Sequence, residues 1–197
     1  MNRPYAMSVR AQRAEETADR VLDATLVEYA RTPYDLVRLD EVARSAGVTV
    51  QTVLRRFGSK AGLVVALAAR ELGRIATSRS AGLGAPAPVL LHALVEHYET
   101  YGDLIAKMYA DAGRVEGLAE VARQGREHHV AWCTAAFGSL LKGVPDEDRR
   151  RRAAQVVTVC DATTWQILRR EQGLPEEQVE LALAELLHAV GGPPVRR

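Results

Sequence analysis

A chain of 197 residues, 47% hydrophobic and 26% charged, carries enough apolar material for one or two compact units with an ample core. The net charge of +1 taken alone argues against a nucleic-acid partner, but residues 1–80 hold 13 basic and 9 acidic side chains while residues 81–197 hold 13 and 16, so the positive excess is N-terminal. The longest apolar run, residues 63–69, is too short to cross a membrane, no signal-peptide pattern opens the chain, and Cys133 and Cys160 lie far apart without a CxxC; a cytoplasmic protein with free thiols and no membrane partner is expected.

In chain order, residues 1–9 read as a loose arm that, with Arg3, Arg10 and Arg13, either follows DNA or is simply solvated. Val21, Leu22, Thr25, Leu26, Tyr29 and Ala30 keep helical spacing and predict a first helix from about 10 to 30, ended by Pro33. Residues 39–63, LDEVARSAGVTVQTVLRRFGSKAGL, contain two short helical patterns hinged on Ala-Gly-Val and read as a helix-turn-helix. Gly47 stands where the chain must turn with positive φ, and Ala43 is small enough to let the two helices cross closely. Val48, Val53 and Phe57 are spaced to converge with Leu39 and Val42, while Thr49 is placed to cap a second helix that starts at Val50. Val50, Gln51, Thr52, Arg55 and Arg56 are then left on its outward faces, a size and polarity that suit a major groove. No acidic residue occurs between Glu41 and Glu71, whereas Arg44, Arg55, Arg56, Lys60 and Arg70 do, so this surface is basic.

Residues 40–63 resemble the DNA-binding motif of the TetR (tetracycline repressor) family, and VARSAGVTVQTVLRRFGSK carries the likeness through its alanine-glycine-valine turn, short helix, phenylalanine, small-residue turn and lysine. The resemblance implies an all-α protein, with Val50, Gln51, Thr52 and Arg55 meeting base edges and Thr49, Arg56 and Lys60 meeting phosphates of double-stranded operator DNA. Leu54 stands where the family commonly has a backbone-contacting tyrosine, and Arg38 where it commonly has a capping threonine; both fall within the DNA-contact set as departures from the pattern. Gly62 replaces the acidic residue that would complete a capping box begun by Ser59.

A fourth helix is expected from about 59 to 78 with a stripe of Leu63, Val64, Leu67, Leu72 and Ile75, followed by AGLGAPAP at residues 81–88, which reads as a linker between a DNA-binding domain (1–80) and a helical effector-binding and dimerisation domain (81–197). Beyond it, helical runs are predicted at about 88–101, 103–112, 114–142, 146–172 and 176–190, broken at Gly102, Gly113, Gly143 with Pro145, and Gly173 with Pro175. The last two carry apolar residues on more than one face, Val156, Val157, Cys160, Thr164, Trp165 and Leu168 in one and Val179, Leu181, Leu183, Leu186, Leu187 and Val190 in the other. In the family this pair forms a four-helix interface, which implies a homodimer with two recognition helices.

No two histidines share an i, i+4 spacing, and GxSxG, HExxH and P-loop patterns are absent, so no metal, cofactor or catalytic residue is expected. Helical bundles commonly hold small molecules between helices. Tyr98, Tyr101, Tyr109, Trp132, Phe137 and Trp165, with His128, Cys133 and Thr163 as polar contacts, are the candidates, each against the alternative of plain core. The expected function is a homodimeric repressor released from a palindromic operator by a small, largely apolar effector; the rivals are a DNA-binding architectural or scaffold protein with no effector, and a helical enzyme that merely contains the motif.

Overall fold

The computed structural model describes residues 3–192, with side chains from residue 11 onward. These residues form α1 (Arg3–Arg31), α2 (Leu39–Ala46), α3 (Val50–Phe57), α4 (Lys60–Ala81), α5 (Ala87–Asp111), α6 (Leu118–Phe137), α7 (Asp146–Val159), α8 (Ala162–Gln166) and α9 (Glu176–Gly191), with no strand among them. No helix of the described residues is long and apolar enough to cross a membrane. Two compact units result: one from the N-terminal stretch up to Glu71 together with Ala110–Val121, the other from Leu72–Tyr109 together with the residues from Ala122 on.

The first unit is built on α1, whose Val21, Leu22, Thr25 and Tyr29 are buried along with Val42, Ala43 and Ala46 of α2, Val53 of α3, and Leu63, Val64 and Leu67 of α4. The Tyr29 hydroxyl donates to Asp111 at 2.8 Å inside this core, and burial, reinforced by that carboxylate, pushes the phenol above its usual range. At the end of the unit Arg70 joins Asp23 at 2.8 Å and the buried Glu71 at 2.9 Å.

The second unit packs α5, α6, α7, α8 and α9 around Leu94, Val95, Tyr98, Cys133, Phe137, Val156, Cys160, Trp165, Val179 and Leu183. Tyr98 donates to the Cys160 carbonyl at 2.7 Å and Trp165 to Glu99 at 3.0 Å, so the polar ends of both rings are satisfied.

Four expectations about element bounds are corrected. The arm expected over residues 1–9 is helical from Arg3, although the side chains of Arg3 and Arg10 lie outside the described ones. Gly102 does not break a helix: α5 passes through it, because an added Cβ there would lie 2.3 Å from the Trp165 ring, and glycine is what admits the indole. The next helix starts at Leu118 rather than near 114, since Gly117 at φ 85° holds a turn that a helix cannot pass through. The long run expected over 146–172 is interrupted after Val159, where Asp161 takes extended backbone and accepts from the Thr163 N–H at 2.8 Å, capping α8; a π-helical turn, Ile167–Glu171, then finishes the segment.

Candidate nucleic-acid interface and ligand cleft

The geometry of α2 and α3 follows from local chemistry. Gly47 has φ 68°, its N–H and that of Val48 return to carbonyls of the last turn of α2, and Val48 N–H reaches Ala43 O at 2.9 Å. Thr49 then accepts from the Thr52 N–H at 3.2 Å and contacts the Thr52 hydroxyl at 3.0 Å, closing the first turn of α3. Val53 is buried, Phe57, Leu39 and Val48 half-buried, which fixes the rotation of α3. Gln51, Arg55 and Arg56 are exposed, while Val50, Thr52 and Leu54 are half-buried at the edge of that face.

The cations of this unit divide into engaged and free ones. Arg38, at the N-cap of α2 without a capping bond, pairs with Asp40 at 2.6 Å, and its guanidinium holds the Asp40 carboxyl below the usual range. Arg44 pairs with Glu41. Lys60 is turned back onto the Asp35 carbonyl at 3.0 Å and the Val37 carbonyl at 3.4 Å, with its ammonium 4.8 Å from the Tyr34 ring centre. Arg55 and Arg56 have no ion-pair partner among the described residues. Ser59 caps α4 by accepting from the Gly62 N–H at 3.0 Å. A Cβ at Gly62 would lie 2.2 Å from the Phe57 carbonyl oxygen, so the acidic residue of a capping box has no room here.

In the second unit a cleft of about 300 Å³ is walled by Leu72, Ile75, Ala76 and Arg79 of α4 and by Gly125, His128, His129 and Trp132 of α6. Two of the nine sequence candidates, His128 and Trp132, line it. Tyr98, Cys133, Phe137 and Trp165 sit in the main core; Tyr101 and Tyr109 are half-buried and Thr163 is exposed. Arg79 and His129 were not among the candidates. Arg79 lies just past the expected end of the fourth helix, inside the stretch 1–80 assigned in sequence to the DNA-binding domain, and the surrounding ATSRS gives no sign of burial; His129 is indistinguishable in sequence from its exposed neighbour His128.

The Arg79 guanidinium lies 4.1 Å from the Trp132 ring centre and 5.9 Å from that of Tyr98, and Trp132 donates to the Arg79 carbonyl at 3.0 Å. His129 meets Arg79 Nη1 through Nδ1 at 3.4 Å and the Val157 carbonyl through Nε2 at 3.3 Å, with Cys133 Sγ 3.5 Å from Nε2. His97 packs on Tyr98 and Tyr101, and burial, with the Arg79 charge adding to it, pushes its pKa down to about 3. Cys133 and Cys160 are free, buried thiols; their interaction with each other, together with burial, raises the Cys160 thiol, while Cys160, His129 and Arg79 lower Cys133. No group of three or more metal-binding side chains occurs among the described residues.

Known proteins share both the motif and the fold. Residues 21–67 match the family described as bacterial regulatory proteins, tetR family. The chain is 43% identical over 72 residues, 36% of its length, to the HTH-type transcriptional repressor KstR of Mycobacterium tuberculosis, covering 33% of that protein. It is 28% identical over 120 residues, 61% of its length, to the HTH-type transcriptional regulator AlkX of the same organism, covering 54% of that protein. These matches thus span about half or less of the curated relatives. A crystal structure of the transcriptional regulator FadR from Bacillus subtilis, in complex with stearoyl-CoA, has the same fold: 16% identity, 85% of this chain and 96% of that one covered, TM-score 0.66. Residues 21–67 are thus similar to the DNA-binding region of the tetR family of bacterial regulatory proteins, and the chain as a whole shares the fold of solved transcriptional regulators.

Proposed function

We propose that the chain is a homodimeric transcriptional repressor that binds a palindromic operator through α3 and leaves it when a small, largely apolar molecule occupies the second unit. The observation that carries the DNA reading is the outward face of α3: Gln51, Arg55 and Arg56 are exposed, and neither arginine has a carboxylate partner among the described residues. Cations left unneutralised on a capped, two-turn helix suit a phosphate-lined groove. KstR, similar over the matched residues, is a repressor, which supports repression over activation.

For release, a ligand must favour a form of the protein that binds operator poorly. A hundredfold preference amounts to about 2.7 kcal/mol of coupling, within the usual range for linked sites. A protein of the same fold has been crystallised in complex with stearoyl-CoA, which supports a ligand-responsive reading, and the cleft between α4 and α6 makes the second unit the ligand-holding part. The dimer reading rests on α9, where Leu181 and Leu186 are 50% and 44% exposed while Leu183 and Leu187 face the core at 1% and 4%.

The test is selection of bound genomic fragments with the purified full chain, followed by titration of the recovered site with variants. Arg56→Ala should weaken all DNA sequences alike and lower the salt slope by about one per site, whereas Gln51→Ala or Arg55→Ala should also change base preference by about 1–3 kcal/mol at one pair. Unaltered binding by all three variants would remove α3 as the reading element.

A further inference from the structure

A guanidinium enclosed without a counter-ion is costly, and the cleft contains one. Buried side-chain nitrogens without a hydrogen-bond partner among the described residues are Arg70 Nη2, Arg79 Nε, Arg79 Nη2 and His97 Nε2, so three of the four gather around Arg79. The remaining nitrogen of that guanidinium, Nη1, meets His129. No carboxylate of the described residues lies within ion-pair distance of Arg79; Asp161, part of the same cluster, approaches His129 Nε2 at 3.9 Å and caps α8 instead.

The two vacant donors are not scattered. Nε–H and Nη2–H project side by side from one edge of the guanidinium plane, at the spacing that receives both oxygens of a carboxylate. Arginine has donors only, so a metal ion or an organic cation does not satisfy it. Its surroundings are the faces of Trp132 and Tyr98, the rings of His97 and His129, and the Cys133 thiol, whose pKa is lowered by Cys160, His129 and Arg79; no carboxylate reaches its Nε or Nη2. The rest of the cleft wall, with Leu72, Ile75, Ala76, Leu83 and Ala131, is apolar. A single guanidinium at the end of such a wall balances one negative charge and leaves a dianionic phosphate undercompensated.

We propose, on the reading that this cleft is the effector site, that its ligand is an amphipathic monocarboxylate whose head forms a two-pronged pair with Arg79 Nε and Nη2 and whose apolar body lies along α4 and α6. At the roughly 30 Å³ that a water molecule takes in the liquid, a cleft of about 300 Å³ holds roughly ten non-hydrogen atoms. Both vacant nitrogens are closed off from solvent, and the Trp132 ring lies against the face of the same guanidinium, 4.1 Å from its carbon. Trp132 therefore reports on binding.

The experiment uses the full chain at pH 7.5 and compares octanoate, methyl octanoate and octyl phosphate by tryptophan fluorescence and calorimetry. Octanoate is expected to bind at least tenfold more tightly than its methyl ester and more tightly than octyl phosphate, and Arg79→Gln to erase the preference for the acid while leaving the ester within twofold. The wild-type comparison decides the matter even if that variant does not fold. Equal binding of acid and ester keeps the cleft as a ligand site and overturns the carboxylate assignment, as does tighter binding of the phosphate. Failure of all three to bind, with operator binding intact, overturns the cleft as effector site together with the proposal.

Discussion

Gly47 and Gly102 are the same residue doing opposite things in the two units. At Gly47 the backbone itself demands glycine, with φ at 68° and open space where a Cβ would be, and the requirement is written in the few residues on either side. At Gly102 the backbone is ordinary helix and the demand comes from Trp165, more than sixty residues later in the chain. A local requirement is visible in a local pattern, whereas one imposed by a distant ring is not. The first unit is dominated by features of the former kind (the Gly47 turn, the Thr49 and Ser59 caps) and the second by features of the latter.

The sharpest test of that contrast lies within α9, where one heptad's worth of leucines looks alike in sequence. Leu183 is buried and Leu186, one helical turn on, is exposed. Leu183→Glu places an unpartnered carboxyl in the core and should destabilise the second unit by at least ~4 kcal/mol, or prevent folding. Leu186→Glu should leave the melting of the subunit within about 0.5 kcal/mol but dissociate the dimer in sedimentation at micromolar concentration. A wild-type protein that is monomeric there would end the paired-helix reading, and a folded Leu183→Glu protein would contradict the packing of α9.

The two glycines give the next effect in size. Gly102→Val drives a side chain into Trp165 and should cost about 3 kcal/mol in urea unfolding, with a shift in tryptophan emission, since overpacking of a filled core is not easily relaxed. Gly47→Ala meets no neighbour and costs only the left-handed backbone, about 1–2 kcal/mol. If Gly47→Ala proved the more damaging, backbone conformation would outweigh packing and the contrast between the units would be reversed.

How far each unit could be read follows from the same physics. The helix-turn-helix bounds, the αL turn at Gly47 and the Thr49 cap were legible because each involves groups within five residues. The reach of Lys60 to the Asp35 and Val37 carbonyls was not, because it depends on how a short 3-10 turn, Tyr34–Leu36, folds beside α4. In the second unit the helical content was legible, but not the continuity of α5 through Gly102 or the start of α8 at Ala162. The aromatic residues drew attention as ligand contacts, yet large rings fill cores for the same reason that they line pockets. Arg79 carried no signal at all: an arginine in a helix reads as a solvated charge until its neighbours in space are known.

The smallest effect tests whether the first unit is as locally determined as its motif suggests. Thr49→Ala removes the side-chain oxygen that accepts from the Thr52 N–H and its contact with the Thr52 hydroxyl, leaving a first-turn donor of α3 to water. The expected loss is about 1 kcal/mol, and Thr49→Ser, which keeps the oxygen, should recover most of it. Because α3 has only eight residues, the loss should appear as faster hydrogen exchange along α3, while amides of α7 and α9 keep their wild-type rates. Operator affinity should fall along with the helix, and if Thr49 also meets a phosphate the salt slope should fall too, so the two roles separate on one titration series. Exchange that accelerates equally in both units would mean that the cap is felt throughout the chain and that the first unit is not an independent, locally specified reading head.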